Sequence, residues 1–352
     1  MKKCHVVYLA CTAALVGTGL GAAPSQAVHA THVVRPGQSI QKAVDAARPG
    51  DTVLVMSGTY RESVKVTTDG LTLRGTGPGT VIRPGGEKAP DDCAERGNGI
   101  CVTGAKDRPL RDVTVAALTV TGFGGSGVFA MGTDRLTVRD VTAEKNGVWG
   151  IAQQRSVRGV LRDNTVRDNG DAGLFLANTI TAEEGAADTR GTLVEHNTAE
   201  GNRIGVTVRR LRNLSVTGNH LTGNCAGLFV VGDENTPRAG DLLVGGNRVV
   251  ANNKSCPKTE RLPALQGSGI VLTGAEKTRI TRNLVADNSG DAPMSGGIVL
   301  FKSLVGAAGE QNRIERNTLR GNAPADLVDT ETDAVNTFEG NSCAASRPAG
   351  LC

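Results

Sequence analysis

Aromatic residues, proline and long charged runs are all scarce in this sequence of 352 residues. Aromatic residues make up 3% of the chain, so a hydrophobic core must be built from aliphatic side chains. The formal net charge is only +4 and no block of Lys or Arg stands out, which gives no reason to expect nucleic acid as a partner. The 47 glycines against 13 prolines indicate tight turns inside a regular structure.

The N-terminus has the order of a secretory signal peptide. Lys2 and Lys3 precede an apolar run that is interrupted by glycines and ends in small residues at Val28-His29-Ala30. This order predicts a signal peptide over residues 1–30, cleaved near Ala30, and the run is too interrupted for a membrane span. We therefore expect a secreted, extracellular protein without a membrane span.

Cleavage would leave six cysteines, Cys93, Cys101, Cys225, Cys256, Cys343 and Cys352. An even number in an exported protein predicts disulfides, although six cysteines allow 15 connectivities. We favour sequential pairing, because it closes three short loops.

The chain contains an internal repeat. Nine-residue segments that begin with Val, Leu or Ile and end in Asn, most with a second Asn in the middle, recur at 138–146, 161–169, 194–202, 216–224, 244–252, 280–288 and 314–322, with a degenerate copy at 333–341. After the final Asn, a Gly opens a run of alternating apolar residues, as in "GLFLAN" and "GVTVRR". Such short alternating runs predict strands, three to a repeat, and repeats of this size must stack to bury their apolar faces.

The repeated asparagines are predicted to be structural. Equivalent residues of stacked coils lie about 4.8 Å apart, so their side-chain amides can form hydrogen-bonded ladders. His196 lies beside a ladder position, in a slot filled by unrelated residues in the other copies. We therefore interpret His196, and likewise His220, as turn-region surface residues. The ladder register also supports the middle disulfide, because Cys225 and Cys256 follow neighbouring ladder residues.

Both ends of the solenoid carry predicted caps. Residues 38–48 place apolar side chains at helical spacing, with Ser39 as N-cap, and an amphipathic helix there would cover the first coil. After the signal peptide we predict one domain over residues 31–352, made of an N-terminal cap at 33–60, coils over about 61–343 and a disulfide-tied cap at 343–352.

With these features, the chain resembles the right-handed parallel β-helix proteins of the pectin lyase-like superfamily. "QSIQKAVDAARPGDTVLVMSGTYRESVKV" is similar to the opening of pectinesterase-type β-helices, and the asparagine coils are similar to their generic repeats. The resemblance covers residues 33–343. It implies an all-β, right-handed parallel β-helix with a short N-terminal capping helix, and a polysaccharide lyase, hydrolase, esterase, epimerase or binding protein.

The best-known catalytic signatures of that superfamily are missing. Asp91-Asp92 is the only Asp pair and lies in a loop next to a cysteine, and Tyr60, the only tyrosine of the mature chain, lies in the N-terminal coils. A Tyr/His acid/base pair in the central coils is therefore excluded.

The remaining candidates follow the Gly-led strands. Their outward residues form an apolar row of Phe129, Met131, Ala152, Gln154, Phe175, Ala177, Thr207, Arg209, Phe229, Val231, Val271, Thr273, Val299 and Phe301. This row can stack sugar rings, or inserted loops can fold over it as a second small core. On the first interpretation, the substrate-binding residues are Asn178, Gln154, Phe175, Phe229 and Phe301.

Charged residues gather where these strands end. Arg209 and Arg210 would lie one coil from Asp233 and Glu234, with Lys302 two coils further. The arginines could neutralise a uronate carboxylate, and a carboxylate or Lys302 could move a proton, as β-elimination or hydrolysis requires. The alternative is ordinary surface ion pairing.

We predict no cofactor and no metal site, with one candidate exception. Glu183, Glu184 and Asp188 in an acidic loop could offer oxygen ligands to Ca²⁺. The sequence thus favours a secreted monomer that binds an extracellular or cell-wall polysaccharide and that, as an enzyme, would be a lyase or hydrolase. The alternative is a non-catalytic cell-surface or structural scaffold.

Overall fold

The computed structural model describes residues 29–85, 92–105, 107–180, 184–303, 305–331 and 335–352. Most of the predicted signal peptide lies outside the described residues. About 47% of the chain is strand and 4% helix, the helices being Ile40–Ala46 and Asp92–Glu95. The strands stack as a right-handed parallel β-helix, which confirms the predicted fold class.

Three long parallel sheets run the length of the solenoid, and each typical coil adds one short strand to each sheet. In the described part of the chain, sheet 1 contains Thr31–Val34, Thr52–Val55, Thr72–Gly75, Thr114–Ala116, Thr137–Arg139, Val160–Arg162, Ala187–Glu195, Leu211–Thr217, Gly240–Gly245, Arg279–Thr281, Arg313–Glu315 and Thr337–Glu339. Sheet 2 contains Gly58–Arg61, Thr80–Arg83, Thr119–Thr121, Thr142–Glu144, Thr165–Arg167, Thr198–Glu200, His220–Thr222, Arg248–Val250, Leu284–Ala286 and Thr318–Arg320. Sheet 3 contains Val64–Val66, Ile100–Thr103, Val128–Met131, Ile151–Gln154, Ala172–Ala177, Ile204–Arg209, Ala226–Val231, Ser268–Thr273, Gly296–Leu300, Leu327–Asp329 and Ser346–Arg347. A further pair of short strands, Leu110–Arg111 and Thr133–Asp134, lies outside these sheets.

The interior is a column of aliphatic side chains. In sheet 1, one inward residue of each coil stacks on its equivalent in the next, and all of them are fully buried: Val138, Leu161, Val194, Val216, Val244, Ile280 and Ile314. Burying each such side chain contributes roughly 1.5–3 kcal/mol. The scarcity of aromatic residues is thus consistent with an interior formed by Val, Leu and Ile.

Two asparagine ladders stabilise the corners on either side of sheet 2. One ladder comprises Asn164, Asn197, Asn219, Asn247, Asn283, Asn317 and Asn341, and the other Asn146, Asn169, Asn202, Asn224, Asn252, Asn288 and Asn322. At each step Nδ2 donates to Oδ1 of the next asparagine over 2.9–3.1 Å. His196, with φ 54°, is exposed at a left-handed corner before Asn197, as predicted for a turn residue.

The helix Ile40–Ala46 covers the N-terminal end of the core. The Ser39 side chain accepts from the backbone N–H of Lys42 over 3.2 Å, and the Glu62 carboxylate accepts from the N–H of Ile40 over 2.7 Å. These acceptors satisfy N–H groups that a helix leaves unpaired at its start. The first strand of sheet 1, Thr31–Val34, precedes this helix, so coil structure begins within the segment assigned to the cap.

The cysteines pair in the predicted sequential order. Cα atoms are 5.8 Å apart in Cys93–Cys101, 6.0 Å in Cys225–Cys256 and 5.5 Å in Cys343–Cys352. The pairs tie an N-terminal loop, a long central loop and the C-terminal tail to the coils.

Candidate functional site

The outer face of sheet 3 carries the predicted apolar row, and inserted loops cover its C-terminal half. Phe175, Thr207, Phe229, Val271 and Val299 lie side by side on successive strands. The apolar residues among them belong to a second apolar cluster that also includes Leu265 and Met294 from the covering loops. This part of the row is therefore a second small core.

Two of the predicted sugar-binding residues, Phe229 and Phe301, pack in or against this second core. Phe229 is 1% exposed, so its ring packs in the second core and offers no surface to a ligand. Phe301 is half-buried and packs against the same cluster.

The loop over the second core is held by specific contacts. Cys256 bonds to Cys225 of the coil beneath, and the guanidinium of Arg203 donates to the carbonyl oxygen of Pro257 over 2.8 Å. Burial lowers the pKa of the Arg203 guanidinium, since the charged form loses solvation. These contacts indicate that the loop is a fixed part of the fold.

The N-terminal half of the row is open, where a groove of about 510 Å³ crosses the outer face of sheet 3. We call it the aromatic groove; it is lined by Arg96, Asn98, Gly125, Ser126, Phe129, Met131, Val148, Trp149, Gln154, Arg155, Thr179 and Ile180. Its volume lies in the range of small-molecule and sugar sites in proteins.

The indole of Trp149 is fixed on two sides. It stacks on the Phe175 ring with centroids 4.2 Å apart and planes 9° from parallel, and its Nε1 donates to Oδ2 of Asp171 over 3.0 Å. The stack and the hydrogen bond hold a half-buried aromatic surface at the groove in one orientation. Phe175 therefore supports the groove from beneath.

Polar groups lie around this aromatic surface. Gln154, a predicted binding residue, lines the groove on the strand beside Phe129, and Arg96 and Arg155 are exposed at its walls. The guanidinium of Arg155 donates to Oε1 of Glu184 over 2.8 Å. The arrangement offers cations and an amide next to an aromatic face.

Asn178 and Arg209 hold the loop at one end of the groove. Nδ2 of Asn178 donates to the carbonyl oxygen of Gly185 over 2.7 Å, and Arg209 donates to the carbonyl oxygen of Thr179 over 3.1 Å. Asn178 is buried, so its role in the structure is to position the loop.

The predicted catalytic residues do not converge in the groove, and none of the five is part of its lining. Arg210 and Asp233 form an ion pair whose side chains are only 8% and 11% exposed. Glu234 and Lys302 are exposed, and the backbone N–H of Lys302 donates to the Thr330 hydroxyl over 2.7 Å. The predicted proximity of Arg210 and Asp233 is therefore correct. Their contact, however, is a buried ion pair that connects neighbouring coils.

Two of the three acidic residues in the candidate calcium loop, Glu184 and Asp188, contact other side chains. Glu184 pairs with Arg155, and Oδ1 of Asp188 accepts from Nδ2 of Asn213 over 3.0 Å. Glu183 lies outside the described residues. Among the residues that the structure describes, no three or more His, Cys, Asp or Glu side chains cluster as metal ligands would.

Sequence reasoning missed Trp149, Arg96 and Arg155. Trp149 is the only tryptophan of the chain and lies between a ladder asparagine and the next Gly-led strand, where most of the other coils have Ala, Ser or Gly. As the single tryptophan, it could have been identified from the sequence as a candidate binding residue. Nothing in the sequence distinguishes the two arginines from other surface arginines.

No helix in the described ranges is long and apolar enough to cross a membrane.

Comparisons with known proteins agree with the architecture. Residues 62–249 match the family described as right handed beta helix region, and residues 186–344 match the family described as periplasmic copper-binding protein (NosD). No curated protein is significantly similar to the chain in sequence.

Several solved structures share the fold at low sequence identity. The A-module of the mannuronan C-5 epimerase AlgE6 of Azotobacter vinelandii superposes with a TM-score of 0.58 at 20% identity, covering 86% of this chain and 88% of that one. DFA-IIIase from Arthrobacter chlorophenolicus A6, in complex with DFA-III, gives 0.62 at 12% identity over 89% and 83%. The enzymatically active domain of tailspike protein 2 of bacteriophage CBA120 gives 0.54 at 11% identity over 82% and 42%.

The donors present do not fit the copper named by the second family. Copper sites in proteins use thiolate, thioether and imidazole ligands. The six cysteines that follow the predicted signal peptide are all in disulfides, and among the described residues no three or more His, Cys, Asp or Glu side chains cluster as metal ligands would. We therefore assign no copper site to this chain.

Proposed function

The chain belongs to the right-handed β-helix family, within the pectin lyase-like superfamily, and on that premise we propose that it binds an extracellular polysaccharide in the aromatic groove. The observation that carries the proposal is the fixed indole of Trp149 beside Gln154, Arg96 and Arg155. An aromatic face suits the C–H face of a sugar ring, and polar groups beside it can accept and donate hydrogen bonds to hydroxyls.

The charge of the groove favours an acidic glycan. Arg96 and Arg155 present guanidinium groups, which bind carboxylates through paired N–H donors. Glu184 engages one side of Arg155 and orients its guanidinium. A uronate residue stacked near Trp149 would present its carboxylate to the groove walls that carry these cations. One of the structurally similar proteins is named for mannuronan, which supports the polysaccharide class.

Secretion is part of the same proposal. The N-terminal sequence, the three disulfides and the periplasmic description of the second matching family all support an oxidising compartment outside the cytoplasm. In that compartment the protein would meet cell-wall or exopolysaccharide chains as a monomer.

The composition of the groove favours binding of the polysaccharide without cleavage over binding with cleavage. The lining that the structure describes contains no carboxylate, histidine, lysine or tyrosine, the usual general acids and bases of glycan cleavage. The Arg210–Asp233 pair is buried at a coil corner. A non-catalytic cell-surface binding protein fits these facts better than a lyase or hydrolase.

One experiment separates these functions. The mature protein is incubated with acidic and neutral polysaccharides, and binding, unsaturated ends and reducing ends are measured in the same samples. We expect binding to an acidic polysaccharide that weakens in the Arg155→Gln variant, without new ends. New ends that disappear in that variant would establish an enzyme, and the absence of both binding and cleavage would contradict the carbohydrate proposal.

A further inference from the structure

Four arginines form an ordered array on the C-terminal coils, on the outer face of sheet 1 and the adjoining corner. Arg279 and Arg313 lie opposite each other on neighbouring strands, which are about 4.8 Å apart. Arg282 and Arg316 occupy equivalent left-handed corners, each with φ 55°, directly before ladder asparagines. All four side chains are exposed. We call this set the arginine array.

One buried carboxylate orients half of the array. Oε1 of Glu315 accepts from Nε of Arg279 over 2.7 Å, and Oε2 accepts from Nη2 of Arg313 over 3.1 Å. The Glu315 side chain is 6% exposed, whereas those of Arg279 and Arg313 are 49% and 60% exposed. Arg279, and then Arg313 and Arg316, lower the pKa of Glu315, so its charge persists at neutral pH. One negative charge thus fixes two guanidinium groups whose outer N–H donors face solvent.

The other half of the array is only weakly neutralised, because Glu315 acts on Arg316 through space and not through an ion pair. In the part of the chain that the structure describes, neither Arg282 nor Arg316 has an ion pair within 4.0 Å, and Glu339 lies at the edge of the array beside Glu315. Two of the equivalent corners in earlier coils are acidic, Asp140 and Asp163, and Arg139 pairs with Asp140 over 2.7 Å. Arginines at the corresponding corners of the C-terminal coils therefore gather positive charge on one end of a chain whose net charge is only +4.

We propose that the arginine array is a binding surface for a flexible linear polyanion that carries phosphate groups. Guanidinium groups bind phosphate through paired donors, and their spacing along the solenoid axis suits repeated anions. The array lies on a sheet surface and contributes nothing to the aromatic groove, which favours an extended polymer over a small anion. No aromatic residue belongs to the array, so base stacking of the kind seen with single-stranded nucleic acid is not provided. This surface is distinct from the glycan site and does not depend on it.

The test measures binding of long-chain polyphosphate by titration calorimetry at several salt concentrations, with the full mature protein. The Arg282→Gln/Arg316→Gln variant keeps the left-handed corners occupied by residues of similar shape. Each lost contact lowers the slope of log K against log salt by about 0.7, so we expect a decrease of about 1.4 and about 25-fold weaker binding at 0.1 M salt. The matched control is Arg139→Gln/Arg162→Gln, which changes the net charge equally at neutralised positions and should leave binding within about twofold.

Three results would overturn the proposal. Equal losses in the two double variants would show that net charge alone attracts the polymer. Binding to vesicles containing anionic lipid, or to duplex DNA, that exceeds polyphosphate binding at equal phosphate concentration would assign the array to a membrane or to nucleic acid. No measurable binding by the wild-type protein at low salt would remove the function altogether. The unfolding midpoints of both variants, which should match the wild type, confirm that folding is unaffected.

Discussion

Removal of one interior rung tests what the asparagine ladders contribute. In the Asn219→Ala variant, Nδ2 no longer donates to the carbonyl oxygen of Val194 over 2.9 Å or to Oδ1 of Asn247 over 3.0 Å. Oδ1 no longer accepts from the backbone N–H and Nδ2 of Asn197, over 2.9 and 3.0 Å. All these groups are buried, so water does not replace the lost partners.

The expected cost follows from five lost hydrogen bonds, because Nδ2 of Asn219 also donates to the carbonyl oxygen of Thr217 over 3.1 Å. A protein hydrogen bond contributes about 1 kcal/mol net, and a buried group left without a partner costs about 1–3 kcal/mol. We therefore expect the free energy of unfolding to fall by about 3–5 kcal/mol, a large share of the roughly 5–15 kcal/mol of a typical domain.

Urea unfolding, followed by tryptophan fluorescence and far-ultraviolet circular dichroism, measures the difference. The control is Asn253→Ala, which removes an exposed asparagine next to the ladder. It loses hydrogen bonds to the carbonyl oxygen of Asp287 and from the N–H of Ser289, but water can reach these exposed groups, so it should cost about 1 kcal/mol or less. If Asn219→Ala and Asn253→Ala shift the midpoint equally, the ladder bonds merely replace bonds to water and the stability argument fails.

Two further predictions concern charge. Hydrogen bonds from the backbone of Arg48 and from His32 hold the pKa of Asp51 at about 2, so its contribution to stability is complete above about pH 4 and is lost as the pH falls towards 2. Asp51→Asn should flatten the pH dependence of the unfolding midpoint in that range, and an unchanged slope would contradict this role. Asp233→Ala leaves the buried Arg210 without its carboxylate and should cost about 3–5 kcal/mol, much of it recovered in Arg210→Leu/Asp233→Leu, with glycan binding unchanged. Loss of glycan binding in the stable double variant would place this pair in the site after all.

The features that repeat could be predicted from the sequence. From about residue 138 onwards, each coil carries its own asparagines and its inward aliphatic residue, and these local patterns predict the sheets, the register and the ladders without long-range information. The middle disulfide followed from the same register, because Cys225 and Cys256 flank equivalent ladder positions. The exposure of His196 beside the buried Asn197 agrees with the left-handed corner that it occupies.

The features that break the repeat could not be predicted in the same way. The position of Trp149 depends on Phe175 of the next coil and on Asp171, contacts that no periodicity encodes. The predicted register correctly brought Arg210 close to Asp233, but the repeat does not encode that the pair is buried. The covering loops do not belong to the repeat. Their packing over Phe229, which leaves the N-terminal half of the row open, therefore depends on tertiary contacts that the repeat does not predict.

The central claim is that the aromatic groove binds an acidic polysaccharide. Titration calorimetry of the mature wild-type protein, Trp149→Ala and Phe338→Ala with the best-binding acidic polysaccharide tests it directly. Phe338 is a half-buried aromatic residue on the last strand of sheet 1, away from the groove, and controls for loss of an aromatic ring. Removal of a central aromatic anchor typically costs about 2 kcal/mol, so we expect roughly 30-fold weaker binding for Trp149→Ala and unchanged binding for Phe338→Ala. Wild-type affinity in a folded Trp149→Ala variant would contradict the account.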